Sequence, residues 1–172
     1  VGSEMCIRDR VIFRRSARCF FMKLRAGVAG SGSMGRNHAR CYSLIQEVEL
    51  AAVYDADLER AQAVADEFGA KAVDSLEALA EACDLASVAV PTIAPLEVGG
   101  ELMSRGLHVL MEKPIAPSVE EAKRLVDLAE ERDRILQIGH IERFNPVMRE
   151  LEAKLNHPKF MSVNVHASLL PK

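Results

Sequence analysis

The stretch "GVAGSGSMGRNHAR", residues 27–40, decides the fold, because it carries the spacing Gly-x-Gly-x-x-Gly directly after a short apolar run. Gly30 permits a tight turn out of a strand, Gly32 lets a ligand approach the backbone because it has no Cβ, and Gly35 lets the next helix pack closely on the strand. Unpaired N–H groups at the start of that helix suit a diphosphate. The stretch therefore predicts a dinucleotide-binding turn. Its predicted cofactor-binding residues are Gly30, Gly32, Ser33, Met34 and Gly35.

An acidic residue stands where nucleotide binding requires one. Asp55 ends the run "ELAAVYD", 20 residues after Gly35, and a carboxylate there accepts hydrogen bonds from the ribose hydroxyls of an adenosine. The same charge repels a 2′-phosphate, so NAD is predicted over NADP. Two alternatives stay open. Asp55 could instead cap the following helix, which Asp57 could also do, and Arg36 or Arg40 could offset the acid.

Short apolar runs alternate with amphipathic helical patterns from Lys23 onward, which predicts right-handed βαβ crossovers and a parallel sheet. Runs such as "LASVAV" are almost wholly apolar, as in strands covered on both faces. The predicted fold class is α/β, a doubly wound parallel sheet of the Rossmann type over residues 22–145. The predicted strands are Leu24–Ala29, Val48–Tyr54, Lys71–Val73, Leu85–Val90, His108–Met111 and Ile135–Ile138.

Short polar residues mark where the predicted helices begin. Such side chains accept hydrogen bonds from N–H groups of the first helical turn, and Ser118 with Glu121 forms a capping box. Gly69 suits the position after a helix ending at Phe68, because glycine tolerates a left-handed backbone. The predicted N-caps are Asp55 or Asp57, Ser75, Ser118 and Asn145.

Length and composition exclude several classes of protein. The chain has 172 residues, enough for one well-formed core, and a net charge of −3 with both signs interspersed, which argues against a nucleic-acid partner. No apolar run approaches the roughly 20 residues that span a bilayer, so we expect a cytoplasmic protein with no membrane partner. The four cysteines form no Cys-x-x-Cys pair, so neither a metal site nor a disulfide is predicted. Cys41 and Cys83 are expected to be buried thiols.

The first 21 residues differ from the rest in composition. They hold five arginines against Glu4 and Asp9, a charge of +3, without the continuous apolar segment of a secretion signal. The opening "VGSEMCIRDR" resembles translated sequencing-adaptor sequence, whereas Met22 stands just before a predicted strand. We therefore expect residues 1–21 to be a non-native or disordered leader without a role in fold or function.

The C-terminal stretch, residues 146–172, follows another pattern. After a predicted linker helix, "KFMSVNVHASLLPK" alternates apolar and polar residues with period two, as in an antiparallel sheet with one solvated face. A lone strand needs neighbours to pair its backbone and bury its face. We therefore expect this stretch to begin a truncated antiparallel-sheet α+β domain whose remainder is missing.

Two further motifs carry a family resemblance. "VAVPTIAP" follows a predicted strand, and in "GLHVLMEKPIA" a second strand leads to Glu-Lys-Pro. Together, and in this order, they resemble the Gfo/Idh/MocA oxidoreductases from Lys23 to about Phe160. The resemblance implies that Pro91 and Thr92 line the cofactor cleft.

The Glu-Lys-Pro motif holds the predicted catalytic residue. The resemblance implies that Glu112 lies near the nicotinamide ribose and Lys113 near the substrate alcohol. Hydride transfer from a carbinol requires the hydroxyl proton to leave, and a lysine beside the developing alkoxide can hydrogen-bond it and relay the proton. The alternative for an isolated Lys-Pro pair is a surface turn. Lys113–Pro114 is a candidate cis bond, because only X-Pro bonds adopt cis at small cost.

The segment "QIGHIERFNP" narrows the resemblance. It is similar to the subgroup that oxidises the sugar 3-hydroxyl of UDP-N-acetylglucosamine, which implies that His140 faces the substrate. Arg143 would face substrate or cofactor, or pair with Glu142 or Glu150. Two departures stand out. Pro95 occupies a position where the family often has histidine, and the family's Asp-x-x-x-His pair does not occur in these 172 residues.

Together the motifs predict an NAD-dependent dehydrogenase that takes a hydride from a secondary alcohol of a sugar or nucleotide sugar, similar to UDP-N-acetylglucosamine 3-dehydrogenases. We expect this chain to bind the cofactor and to turn over little without the missing sheet, through which homo-oligomers would form. Two alternatives are an inositol or free-sugar dehydrogenase and a non-catalytic NAD-binding sensor. The presence of Lys113 disfavours the sensor, which needs no such lysine.

Overall fold

A computed structural model describes residues 23–90 and 95–154. The expectations for residues 1–21, for Pro91 and Thr92, and for the C-terminal strand lie outside the described residues. The described residues belong to two compact units, one ending at Gly139 and one beginning at His140.

The first unit is built on a six-stranded sheet in the order β3-β2-β1-β4-β5-β6. Every neighbouring pair of strands is parallel, which confirms the predicted doubly wound α/β fold. The sequence order reverses between β1 and β4, and ligands of open α/β sheets bind at the carboxyl ends of the strands at such a point. The strands are β1 Leu24–Ala29, β2 Val48–Tyr54, β3 Lys71–Val73, β4 Leu85–Val88, β5 His108–Met111 and β6 Leu136–Ile138.

Two strand boundaries differ from the prediction, for local reasons. β4 ends at Val88, two residues early, because β1 turns away at Gly30 and the last paired residues are Ala29 and Val88. β6 begins at Leu136, because the N–H of Ile135 donates to Nδ1 of His108 at 3.0 Å and not to a strand carbonyl, although its own carbonyl still accepts from Val109 at 2.8 Å.

The predicted helix ends are largely confirmed. Ser75 and Ser118 accept hydrogen bonds from first-turn N–H groups, and Gly69 has the left-handed backbone, with φ at 73°. A single turn of 3-10 helix covers Ile141–Phe144 in the second unit. The helices are α1 Ser33–Leu44, α2 Leu58–Phe68, α3 Leu76–Ala82, α4 Pro95–Ser104, α5 Val119–Glu131 and α6 Pro146–Lys154.

The core of the first unit lies on both faces of the sheet. One cluster joins residues of α1 and α2 to β1 and β2, and the other joins α3, α4 and α5 to the sheet. Val28 belongs to the first cluster and Ala29 to the second, as expected for successive residues of a strand covered on both sides. This packing fixes the carboxyl ends of β1, β2 and β5, which Gly30, Asp55 and Glu112 directly follow.

The prediction of two buried thiols is half wrong. Both cysteines are free, but Cys41 is exposed and only Cys83 is buried. Helix α1 turns Gly35 and Ala39 toward the sheet, and Cys41 comes two positions later, on the opposite side of the helix. Burial raises the pKa of the Cys83 thiol to about 12.

Candidate functional site

The turn from β1 into α1, residues 30–35 (the glycine turn), leaves no room for side chains at two of its glycines. Gly30 has φ at 93°, and a Cβ there would lie 2.6 Å from the carbonyl oxygen of Ala89. A Cβ at Gly35 would overlap the carbonyl oxygen of Gly30 itself. Contacts this close cannot be relieved by moving a flexible side chain, because the obstructing atoms are backbone. Gly30 and Gly35 therefore allow the backbone of the turn to pack more closely than any other residue would.

Gly32 has a different surrounding, because a Cβ built on it meets no described atom within 4 Å. It is the N-cap residue of α1, which has no side-chain cap and no acidic residue in its first turn. The first N–H groups of the helix, starting at Ser33 and Met34, therefore have no internal acceptor. An open space lined by such donors and by the positive end of a helix dipole fits a diphosphate.

Asp55 closes the other side of the glycine turn. Its Oδ2 accepts hydrogen bonds from the N–H of Ser31 at 2.7 Å and from the Ser31 hydroxyl at 2.8 Å. Its Oδ1 accepts from the N–H of Asp57 and from Arg60, each at 2.9 Å. Burial opposes ionisation, but the hydrogen bonds from Asp57 and Ser31, with the charge of Arg60, outweigh it and lower the pKa of Asp55.

The capping alternative for Asp55 is answered by its neighbour. Asp57 is the N-cap of α2, and its Oδ1 accepts from the N–H groups of Glu59 and Arg60. Asp55 therefore faces the glycine turn and does not cap α2. Sequence reasoning missed Ser31 and Arg60, which contact it.

One of the two arginines suggested to offset the acid is directed elsewhere. Arg36 pairs with Glu67 and lies over the ring of Phe68, 5.8 Å from its centroid. Arg40 is exposed. The cation that contacts Asp55 among the described residues is Arg60, which also pairs with Asp57 at 3.1 Å.

The second predicted motif, residues 112–114 (the Glu-Lys-Pro turn), follows the end of β5. The Lys113–Pro114 bond is cis, as the sequence suggested. Oε1 of Glu112 lies 3.0 Å from Nε2 of His38 on α1, and Oε2 accepts from the N–H of Lys113 at 3.3 Å. The Glu112 side chain is 15% exposed, whereas Lys113 is exposed. Parallel strands end at one edge of the sheet, so this turn and the glycine turn share that edge.

The two residues suggested to face the substrate lie in the second unit. His140 precedes the 3-10 turn and is exposed, as is Arg143. Asn145 begins α6, with Oδ1 accepting from the N–H of Val147 at 3.0 Å, which confirms the predicted cap. The roles of His140 and Arg143 stay predictions.

Two other kinds of feature, a metal centre and a membrane-spanning helix, are absent from the part of the chain that the structure describes. Residues 23–90 and 95–154 contain no group of three or more His, Cys, Asp or Glu side chains that could hold a metal ion. Within the same ranges no helix is long and apolar enough to cross a membrane.

A parallel sheet in this order, with a glycine turn at its switch point and an acid ending the second strand, defines a dinucleotide-binding α/β domain. Comparison with protein families agrees. The model of the Gfo/Idh/MocA group, described as an oxidoreductase family with an NAD-binding Rossmann fold, matches residues 24–140. The chain belongs to this oxidoreductase family.

Individual relatives are similar over most of this chain but only over part of their own length. A UDP-N-acetylglucosamine 3-dehydrogenase from Acidithiobacillus ferrooxidans is 37% identical over 87% of this chain and 47% of its own. A glucose-6-phosphate 3-dehydrogenase from Bacillus subtilis is 30% identical over 83% of this chain and 41% of its own. The chain thus spans less than half the length of these two relatives.

A solved structure agrees with the sequence comparison. The structure of the Acidithiobacillus ferrooxidans enzyme superimposes with a TM-score of 0.74 and 39% identity, over 77% of this chain and 43% of that one. The similarity supports both the fold and the family.

Proposed function

We propose that this chain forms the NAD-binding part of a dehydrogenase that oxidises a secondary alcohol of a sugar or nucleotide sugar. The observation that carries the proposal is the position of Lys113. It lies exposed at the carboxyl end of β5, on the sheet edge that also holds the glycine turn. A lysine there can reach a substrate placed against a bound nicotinamide.

The residues present fit the dinucleotide. The open space at Gly32 and the first-turn N–H groups of α1 would hold the diphosphate. The carboxylate of Asp55 would accept ribose hydroxyls, after exchanging one of its present partners. When bound, NAD supplies the acceptor for a hydride from a carbinol carbon.

Lys113 would act on the substrate hydroxyl. Its Nζ, as a neutral amine, can accept the hydroxyl proton as the alkoxide develops, and in the charged form it stabilises the alkoxide. We assign Glu112 a different role, because its carboxylate is only 15% exposed and already contacts His38 and the N–H of Lys113.

The proposed preference for NAD over NADP rests on the charge of Asp55. The lowered pKa keeps the carboxylate ionised at neutral pH, and a 2′-phosphate beside it would be repelled. Arg60 weakens this repulsion, because its guanidinium is 2.9 Å from Oδ1 of Asp55. The weakening is partial, because the Arg60 side chain is 60% exposed and solvent screens its charge. We therefore propose a preference for NAD that Arg60 limits.

The substrate class is supported by the relatives, both of which are named as 3-dehydrogenases of sugar derivatives. We propose that the whole protein likewise oxidises the 3-hydroxyl of a sugar or nucleotide sugar. A cytoplasmic location and assembly into homo-oligomers remain proposals from the sequence.

The test is the variant Lys113→Ala in the protein at its full natural length. With UDP-N-acetylglucosamine and other sugars as substrates, we expect turnover to fall about 100- to 10,000-fold, the range for loss of a general acid–base. The dissociation constant for NADH should change by less than about threefold, because Lys113 lies outside the glycine turn.

A matched control is Lys123→Ala, which removes a surface lysine paired with Asp127 on α5 and should leave turnover unchanged. Unchanged turnover in Lys113→Ala would contradict the proposed chemistry. An NADH affinity lost together with turnover would assign Lys113 to the cofactor instead.

A further inference from the structure

A hydrogen-bonded network of four polar side chains runs from Glu112 into the space between α1 and β4. Oε1 of Glu112 is 3.0 Å from Nε2 of His38, and Nδ1 of His38 is 3.2 Å from the hydroxyl of Ser87. The Ser87 hydroxyl is in turn 2.6 Å from the hydroxyl of Tyr42. His38 and Tyr42 are four residues apart and therefore lie on one face of α1, whereas Ser87 belongs to β4.

Polar side chains such as these are costly to bury unless each of them is hydrogen-bonded. Ser87 is fully buried between Ala86 and Val88, in a strand that is otherwise apolar. Polar groups in such places destabilise a fold when unpaired, yet among the described residues no buried side-chain nitrogen or oxygen lacks a partner. An apolar residue at position 87 would need no such partners. The network therefore indicates a functional role for the side chain at its outer end, Glu112.

The hydrogen bonds have a consistent direction. An ionised Glu112 can only accept, so Nε2 of His38 carries the hydrogen of this contact; in the neutral form of the imidazole, Nδ1 then accepts from the Ser87 hydroxyl. The Ser87 oxygen then accepts from Tyr42. Burial raises the pKa of Tyr42 despite its bond to Ser87, so its hydroxyl keeps the proton that it donates.

Glu112 is held on further sides. Its other oxygen accepts from the N–H of Lys113 at 3.3 Å. Gly139, at the end of β6, leaves room for the carboxylate, since a Cβ there would lie 3.1 Å from Oε1. The carboxylate thus connects the backbone of Lys113 to helix α1, whose N-terminus forms the glycine turn.

We propose that His38 is a positioning residue: backed by Ser87 and Tyr42, it holds the Glu112 carboxylate and thereby fixes the turn that carries Lys113 relative to the diphosphate-binding helix. This inference rests on the proposed function, because the task of the turn is the chemistry of Lys113. His38 itself touches neither substrate nor reacting atoms in this account. One helix then serves both ends of the cofactor site, through its N-terminus and through a side chain further along.

The first test is a spectroscopic signature that does not require activity. In the 172-residue chain above about pH 8, where an ordinary imidazole is neutral, ¹⁵N NMR of the imidazole should find His38 as the Nε2–H tautomer, with the resonance identified by His38→Gln. Ser87→Ala removes the donor to Nδ1 and should shift that signal or populate the other tautomer. An Nδ1–H tautomer in the unmodified chain, or no response to Ser87→Ala, would overturn the proposal.

The second test separates kcat from KM in the protein at its full natural length. His38→Ala should lower kcat roughly 10- to 100-fold, the cost of a misplaced catalytic group, with KM for the alcohol nearly unchanged. His38→Gln, whose amide can still donate to Glu112, should recover most of the loss. Asn37→Ala, an exposed neighbour on α1, is the control and should match the unmodified enzyme.

The outcomes distinguish this inference from the function on which it rests. If Lys113→Ala abolishes turnover while His38→Ala keeps the normal kcat, the positioning role is wrong and the proposed function stands. If neither variant affects turnover, the proposed function fails first. An equal loss in His38→Ala and His38→Gln would overturn the role of the donated hydrogen bond.

Discussion

The glycine turn and the Glu-Lys-Pro turn lie on the same edge of the sheet but are built differently. The glycine turn is formed by the backbone of consecutive residues, and its glycines at positions 30, 32 and 35 place no side chain in it. The second is fixed by side chains from α1, β4 and the end of β5. In a site made of backbone and space, an added atom should cost either stability, where the glycine is packed, or ligand affinity, where the space is open. A site made of side chains should tolerate replacements that keep its hydrogen bonds.

The largest effect should come from adding one methyl group to the glycine turn. Gly35→Ala places a Cβ on the carbonyl oxygen of Gly30, which the backbone can relieve only by moving α1 away from β1. We expect a loss of about 3 kcal/mol or more in the free energy of unfolding, at the upper end of overpacking effects. Urea denaturation measures it.

Gly32→Ala is the matched control for this prediction, because its Cβ would meet no atom of the described residues within 4 Å and its φ of −64° suits any residue. Its free energy of unfolding should stay within about 1 kcal/mol of the unmodified chain, while NADH affinity falls because the methyl group occupies the diphosphate space. Equal destabilisation by the two variants would contradict the distinction between a packed and an open glycine.

A smaller effect, with opposite signs, should come from the charges beside the glycine turn. Asp55→Asn removes the repulsion of a 2′-phosphate and should lower the preference for NADH over NADPH about tenfold, or about 1.4 kcal/mol. Arg60→Gln removes the offsetting cation and should raise that preference. Calorimetric titration with both cofactors measures the ratio.

Arg36→Gln is the control for the charge prediction, because Arg36 pairs with Glu67 and not with Asp55. Its preference should match that of the unmodified chain. If Arg60→Gln lowered the preference for NADH, Arg60 would be acting on the cofactor directly and not through Asp55.

The smallest effect is expected from lowering the pH, and it should come from His108, the first residue of β5. Burial and the charge of Arg134 lower the pKa of His108, whose Nδ1 accepts from Ile135 and joins β5 to β6. The unfolded chain therefore binds more protons near pH 6, so this contribution to stability is complete above the unfolded pKa of about 6.5 and is lost as pH falls through the folded value.

Urea unfolding between neutral pH and about pH 5.5 tests this. The unmodified chain should lose stability more steeply than His108→Asn, whose amide oxygen can accept from Ile135 without titrating. Identical pH profiles for the two proteins would exclude His108 as the cause.

The sequence predicted the features that depend on neighbouring residues better than those that depend on distant ones. The strands, the caps and the glycine turn depend on neighbouring residues and were found at or near their predicted positions, as was the cap at Asp57. The end of β4 was misplaced because it depends on where β1 turns away. The contact of His38 with Glu112 could not be predicted, because it joins residues 74 positions apart in the sequence. The contact of Ser31 with Asp55 likewise joins residues 24 positions apart.

The glycine turn and Asp55 are proposed to form an NAD-selective site. The decisive measurement is a titration of the unmodified 172-residue chain with NADH and with NADPH at one salt concentration. We expect NADH to bind at least about tenfold more tightly, equivalent to about 1.4 kcal/mol. Equal affinities, tighter binding of NADPH, or no binding of either cofactor would contradict it.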